Sequence, residues 1–150
     1  MTAVKTIDHT LLGELVRTHK SLRQRGDREL GRIGLRVGQD LVLFRLAEGA
    51  LSQAQLAERL RVEPATASIM VGRLAKAGLV ARRSDPSDAR VTKIRLTPKG
   101  RALETPVLRV WAALEKGLAA GLSAAEVRAL KSLLAKVRQN LESRRPNDAE

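Results

Sequence analysis

Residues 52–100 read SQAQLAERLRVEPATASIMVGRLAKAGLVARRSDPSDARVTKIRLTPKG, and the fold turns on how that stretch is parsed. Ser52 is a good N-cap, and Gln55 three residues on completes a capping box for a helix that carries Leu56, Ala57 and Leu60. After a tight connection at residues 61–63, Pro64 suits the first position of a second helix, where a missing N–H costs nothing. Gly78 supplies the residue that ends that helix. The runs Leu79–Ser84 and Val91–Leu96 are rich in β-formers, and Asp85-Pro86-Ser87-Asp88 between them is turn chemistry. Helix, turn, helix and then a hairpin with a basic tip is the order of a winged helix-turn-helix.

Period divides the second helix into two faces. Ala67, Met70, Val71 and Leu74 recur at i, i+3, i+4 and i+7 and form the stripe expected to be buried. The opposite face carries Ala65, Ile69, Gly72 and Lys76, with Thr66, Ser68 and Arg73 on its flanks. Small residues, hydroxyls and two cations suit a helix lying in a major groove, where a thymine methyl would give Ile69 an apolar partner. For the helix alone, an ordinary solvated face remains an equal alternative. In the hairpin, Thr92, Ile94 and Leu96 alternate with Val91, Lys93 and Arg95, giving one mostly apolar and one mostly basic face. Arg82, Arg83 and Arg90 flank the turn. Guanidinium groups on a projecting loop suit a narrow minor groove or its phosphates. The expected DNA-contacting set is therefore Ser52, Ala65, Thr66, Ser68, Ile69, Arg73, Lys76, Arg82, Asp88 and Arg90. Thr66, Ser68 and Ile69 face base edges, Arg73 and Lys76 clamp phosphates, and Asp88 holds Arg90 at the wing tip.

The segment Arg83–Gly100, with its Asp-Pro-x-Asp-x-Arg turn and a strand ending in Leu-Thr-x-x-Gly, resembles the wing signature of MarR-type winged-helix regulators. The similarity continues upstream through GRLAKAGLVARR and LSQAQLAERLRVEPATAS, and more loosely through Gly38-Gln39 and the helical ends. Three positions depart from the family's pattern: Ile69 stands where a polar or basic residue is common, Gly72 where an acidic one is frequent, and Ala89 where a second Arg often precedes Arg90. The resemblance implies a mainly α fold with a small β-hairpin wing, and a dimer that reads two-fold DNA. It also implies a small aromatic or anionic effector, bound between the dimer helices and the winged domain, that releases DNA. His19, Arg23 and Trp111 are the candidate lining residues, being polar or aromatic members of apolar stripes, although Trp111 taken alone reads more simply as core.

Charge is concentrated where this reading needs it. The net charge is +12 over 150 residues, and residues 52–100 hold 10 Lys and Arg against 4 Asp and Glu, half the excess in a third of the chain. That is an electrostatic footprint for phosphates. No Cys is present, which excludes disulfides, thiol-based sensing and Cys-ligated zinc, and two His residues do not make a metal site. No apolar run approaches a membrane span, and MTAVKTIDHT is too polar for a signal peptide, so a cytoplasmic protein is expected. The sequence lacks a Gly-rich phosphate loop, GxSxG and HExxH, so neither an enzyme nor a cofactor is expected.

Outside the central stretch the pattern is helical. A helix is expected from Ile7, capped by Asp8, to about Leu30, and a second, Gln39–Glu48, that buries Leu41, Val42, Phe44 and Leu46 almost all round. Beyond the wing, one long helix is expected from Pro98 to Ala120, interrupted at Pro106, which should kink it or locally remove a hydrogen bond. A last helix opens on a Ser123/Glu126 capping box and carries Val127, Leu130, Leu133, Leu134, Val137 and Leu141. Residues 1–6 and 143–150 read as loose ends. The terminal helices present more apolar stripe than one winged helix needs to cover, which predicts a homodimer joined through residues 1–36 and 101–150, with residues 37–100 as the DNA-binding domain; the alternative is a monomer that folds these helices back on itself. Two rival functions remain: a nonspecific architectural DNA binder, and a winged-helix protein-interaction module.

Overall fold

The computed structural model describes residues 7–143. Its elements run α1 (Leu11–Gly31), α2 (Gln39–Ala47), β1 (Leu51–Ser52), α3 (Gln53–Leu60), α4 (Pro64–Lys76), β2 (Val80–Ser84), β3 (Thr92–Leu96), α5 (Pro98–Arg101), α6 (Glu104–Leu118) and α7 (Ala124–Ser143). The chain divides into two compact units between Ala112 and Ala113.

The first unit is built on α2, α3, α4 and a three-stranded antiparallel sheet of order β1-β3-β2. Leu43 and Leu46 of α2, Leu56 of α3, Val71 and Leu74 of α4 and Ile94 of β3 form its centre, all at 1% exposure or less. Leu30 at the end of α1 and Val107 in α6 join the same cluster. The sheet places the wing: β2 pairs with β3 from Val80↔Leu96 to Ser84↔Thr92. β1 adds two residues to the other edge of β3, Leu51 opposite Ile94 and Ser52 opposite Lys93.

Four sequence expectations need correction. The first long helix begins at Leu11, and Thr10, not Asp8, caps it: the Thr10 hydroxyl accepts from the Gly13 N–H at 3.0 Å. The chain turns at residues 7–10, where the Ile7 carbonyl closes over Gly13 and leaves no room for a β-carbon. Asp8 instead accepts from the Arg17 guanidinium at 2.9 Å. α2 is not buried all round, because Leu41 and Phe44 are exposed while Asp40, Val42, Leu43 and Leu46 face inward. The expected long helix is two. It breaks at Ala102–Leu103 rather than kinking at Pro106, which falls in the first turn of α6. A proline has no N–H for the carbonyl four residues back and its ring crowds that carbonyl, here of Ala102, so the helix stops and restarts with proline where no donor is required. Ser143 belongs to α7 rather than to a loose end. Residues 1–6 and 144–150 lie outside the described residues.

In the second unit, α7 has its N-terminus closed as the sequence predicts: the Ser123 N–H donates to Glu126 at 2.7 Å, and the Glu126 N–H donates to the Ser123 hydroxyl at 3.2 Å. No residue of this 20-residue helix is buried, and Leu130, Leu133, Leu134 and Leu141 are exposed.

Candidate nucleic-acid interface

The helix-turn-helix is pinned at each corner by local chemistry. Ser52 and Gln55 form the capping box in full, with the Gln55 N–H on the Ser52 hydroxyl at 3.2 Å and the Ser52 N–H on the Gln55 side chain at 2.9 Å. Ser52 is thus half-buried, and its hydroxyl lone pair is already engaged at the start of α3. Arg61 turns the chain with φ of 54°, and Pro64 then opens α4. α4 ends in a Schellman motif: Gly78 at φ of 73° lets the Leu79 N–H reach the Leu74 carbonyl at 2.9 Å and the Gly78 N–H reach the Ala75 carbonyl at 2.9 Å.

Between these ends α4 shows two faces. Ala67, Val71 and Leu74 are buried and Met70 is half-buried, so the inner stripe packs on the core. Ala65, Thr66, Ser68, Ile69, Arg73 and Lys76 are all exposed, and Ile69 keeps 57% of its surface in solvent.

The wing turn is held by two carboxylates doing different jobs. Asp85 is buried; it accepts from the Ser87 N–H at 2.8 Å and the Ser87 hydroxyl at 2.6 Å, and it carries the Lys93 ammonium. Lys93 and Ser87 together hold its carboxyl well below the usual carboxylate range. Asp88 accepts from the Arg90 N–H at 3.0 Å and from its guanidinium at 3.1 Å, and Arg90 lowers its pKa in turn. Arg90 is thereby aimed outward, with 92% of its side chain exposed.

Register shows what the sequence reading missed on the wing. Arg83 lies opposite Lys93 and Ala81 opposite Arg95, so Arg83, Lys93 and Arg95 share one face of the hairpin, whereas Arg82 pairs with Ile94 on the other. Like charges directly opposite repel across a sheet, and Asp85 on Lys93 offsets that repulsion. Arg83 and Arg95 are exposed and join Arg90 as solvent-facing cations of the wing. The alternation of TKIRL held that signal, but the partner strand's register was needed to see it. Asp85 also escaped the sequence reading, because a turn Asp gives no sign of being buried.

The three candidate effector residues are not brought together. A cleft of about 870 Å³ opens between α1, residues 34–39 and α4, and Arg23 lines it with Asp27, Arg36, Met70 and Arg73. His19 and Trp111 are not among its walls; His19 is exposed on α1, and the Trp111 indole N–H is committed to Asp40 at 2.8 Å. Apolar stripes on two helices gave no information on which neighbour each polar member would meet.

Asp85 makes the wing's cohesion a function of acidity. Its folded pKa lies below the ordinary value of about 3.9, so its stabilising contribution is complete above that value and is lost as pH falls toward the lowered one. Asp85→Asn is expected to lower Tm at neutral pH, and the gap from the parent protein should close as pH drops below about 4. Thermal scans across pH check this; a gap that persists unchanged in acid would mean the Lys93 pair adds nothing.

Comparison with known proteins settles the family. A sequence model of the MarR family matches residues 38–92. The HTH-type transcriptional repressor Rv2887 of Mycobacterium tuberculosis is 32% identical over 132 residues, which cover 87% of this chain and 95% of the repressor. The chain belongs to the MarR family. Similarity to the HTH-type transcriptional regulator YdgJ of Bacillus subtilis, 32% over 91 residues, spans 61% of this chain and only 56% of that protein. Among solved MarR-like folds, a probable transcriptional regulator from Pseudomonas aeruginosa matches with a TM-score of 0.78 and 31% identity, covering 87% of this chain and 98% of that one. An E. coli MarR mutant complexed with operator DNA matches with a TM-score of 0.75 and 26% identity, over 84% and 92% of the two chains. Bordetella bronchiseptica BpsR, whose DNA binding is regulated by 6-hydroxynicotinic acid, matches with a TM-score of 0.78 and 26% identity, over 95% and 96%. The MarR match begins at Gly38, where α2 starts, and closes inside β3, so it covers α2, the helix-turn-helix and the wing turn. Among the described residues no helix is long and apolar enough to cross a membrane.

Proposed function

We propose that the chain is a sequence-specific regulator of transcription that binds double-stranded DNA as a homodimer in the cytoplasm, acts as a repressor, and has no catalytic role. The outer face of α4 carries the reading: Thr66, Ser68 and exposed Ile69 project together, flanked by Arg73 and Lys76. Such a face reads base edges in a major groove while Arg82, Arg83, Arg90 and Arg95 of the wing hold the neighbouring backbone or minor groove. Residues 37–100 then form the reading head, and residues 1–36 with 101–150 join two copies. A two-fold dimer reads half-sites about 10 bp apart or a multiple of that. The repressor name of Rv2887 and the operator complex of the MarR mutant support this reading. Release by a small aromatic or anionic molecule is part of the proposal, supported by BpsR.

Selection of duplexes from a random pool, followed by binding of an enriched and a scrambled duplex at matched salt, tests the proposal. A specific regulator prefers the enriched duplex by about 10³-fold or more. A ratio near one means an architectural binder, and no salt-dependent binding at all means a protein-interaction module.

A further inference from the structure

The corner between α1 and α2 has its backbone amides satisfied one by one by side chains. The Arg36 N–H donates to the Gln39 side chain at 2.9 Å, the Val37 N–H to Asp27 at 2.9 Å and the Gly38 N–H to Asp40 at 2.8 Å. This corner also lies against Met70 of α4. A β-carbon on residue 38 would come within 2.8 Å of the Met70 methyl, and Gly38 holds φ of 97°, where a side chain is strained. On the other flank, a β-carbon on residue 26 of α1 would meet Val37 at 2.8 Å. Beside the cleft that separates them elsewhere, the corner thus meets α1 through Val37 and Gly26 and meets α4 through Gly38 and Met70.

Asp40 ties that corner to a third helix. It is only 6% exposed, and its two oxygens serve different elements: Oδ1 takes the Gly38 N–H and Oδ2 takes the Trp111 indole N–H of α6 at 2.8 Å. The Trp111 ring is held in turn by Phe44 of α2, with centroids 5.0 Å apart and planes inclined by 58°. A buried carboxylate shared between two donors accepts no other arrangement without leaving one oxygen unpaired. Asp40 thus joins α6 to Gly38, and Gly38 lies beside the Met70 methyl.

We propose that Asp40 is a positioning residue for the recognition helix: held by Trp111, it fixes Gly38 against Met70 and so sets the angle at which α4 presents Thr66, Ser68 and Ile69 to DNA. The consequence for DNA rests on the reading of the function given above, while the mechanical link does not. Asp40 touches no DNA in this account. Its effect should appear mainly in discrimination between sequences: charge contacts from the wing are untouched, and Arg73 and Lys76 reach out on long flexible side chains that follow a small tilt of α4, whereas the seating of the base-reading face does not.

Trp111→Phe keeps the ring against Phe44 and deletes only the N–H. Asp40→Asn keeps the shape but turns one acceptor into a donor facing another donor. Hydrogen exchange of the free protein tests the link without DNA. Both variants should speed exchange at residues 36–41 and around Met70–Leu74, and leave α7 unchanged. With a duplex enriched by the wild-type protein, each should lose about three- to tenfold in affinity, with scrambled-duplex binding and the salt slope unaltered. The double variant should be no weaker than Asp40→Asn alone, since both break one chain of contacts. Exchange that rises in α6 or residues 36–41 but not in α4, additive losses, or an unchanged preference for the enriched duplex would each overturn the proposal. If the wild-type protein enriches no duplex, the DNA-binding reading fails and the exchange at Met70–Leu74 alone decides the link.

Discussion

Leu133→Glu is expected to leave each chain folded, abolish self-association, and weaken binding to the protein's preferred DNA by at least about 100-fold. The side chain sits on α7 with 58% of its surface in solvent, so a glutamate there disturbs nothing within one chain. Leu130, Leu134 and Leu141 on the same helix are exposed too, and a 20-residue helix with no buried residue does not stay in water uncovered. A second copy covering this stripe would bring an unpaired carboxylate from each subunit into an apolar seam, which is strongly destabilising. Losing the dimer converts two linked half-site contacts into independent ones, and the effective concentration gained by linkage is typically worth 10²–10⁴ in affinity, about the loss anticipated here. Sedimentation equilibrium with circular dichroism checks the outcome. A folded Leu133→Glu dimer would place the subunit interface elsewhere.

Ile69→Ala carries the second large effect. The substitution removes methyl groups that are already exposed in the free protein, so it should cost little stability. If Ile69 meets a base edge, its loss weakens the preferred duplex by about 1–3 kcal/mol at each half-site, a roughly 5- to 150-fold change per site. The scrambled duplex should be bound as before. Competition between the two duplexes for wild-type and variant protein gives the number directly. Equal losses on both would mean that the outer face of α4 does not point at the bases.

The parts of this molecule that local chemistry determines were legible in the chain. The Ser52/Gln55 and Ser123/Glu126 boxes, Pro64 at the start of α4 and Gly78 at its end each reflect a single rule acting over a few residues, and the structure forms all of them. The split of α4 into faces follows from its period alone. What was not legible depends on distant partners. β1 is two residues long and exists only because β3 offers Ile94 and Lys93 an edge to pair with. Leu41 and Phe44 look like core by composition, yet the inner face of α2 goes to Val42, Leu43, Leu46 and the charged Asp40, whose burial depends on a tryptophan 71 residues away. The break at Ala102–Leu103 shows a further limit: Pro106 was seen as an interruption, but its effect falls four residues earlier, on the carbonyl it cannot serve. On the wing, composition located the cations, and only the pairing of Arg83 with Lys93 sorted them by face.

On this reading α4 reads the bases and the wing reads the charge of the backbone. The most direct test is the slope of log affinity against log salt for wild-type, Arg90→Ala and Ile69→Ala proteins on the enriched and scrambled duplexes. Arg90 projects from the tip with almost its whole side chain in solvent and is held by Asp88 along one edge of its guanidinium, so its remaining N–H groups face outward toward phosphates. Removing it should weaken both duplexes alike and flatten the slope by roughly one unit per lost phosphate contact, about two per dimer. Ile69→Ala should lower affinity for the enriched duplex alone and leave both slopes as they were. If instead Arg90→Ala alters only the enriched duplex, or Ile69→Ala flattens the slope, the division of labour between helix and wing is contradicted.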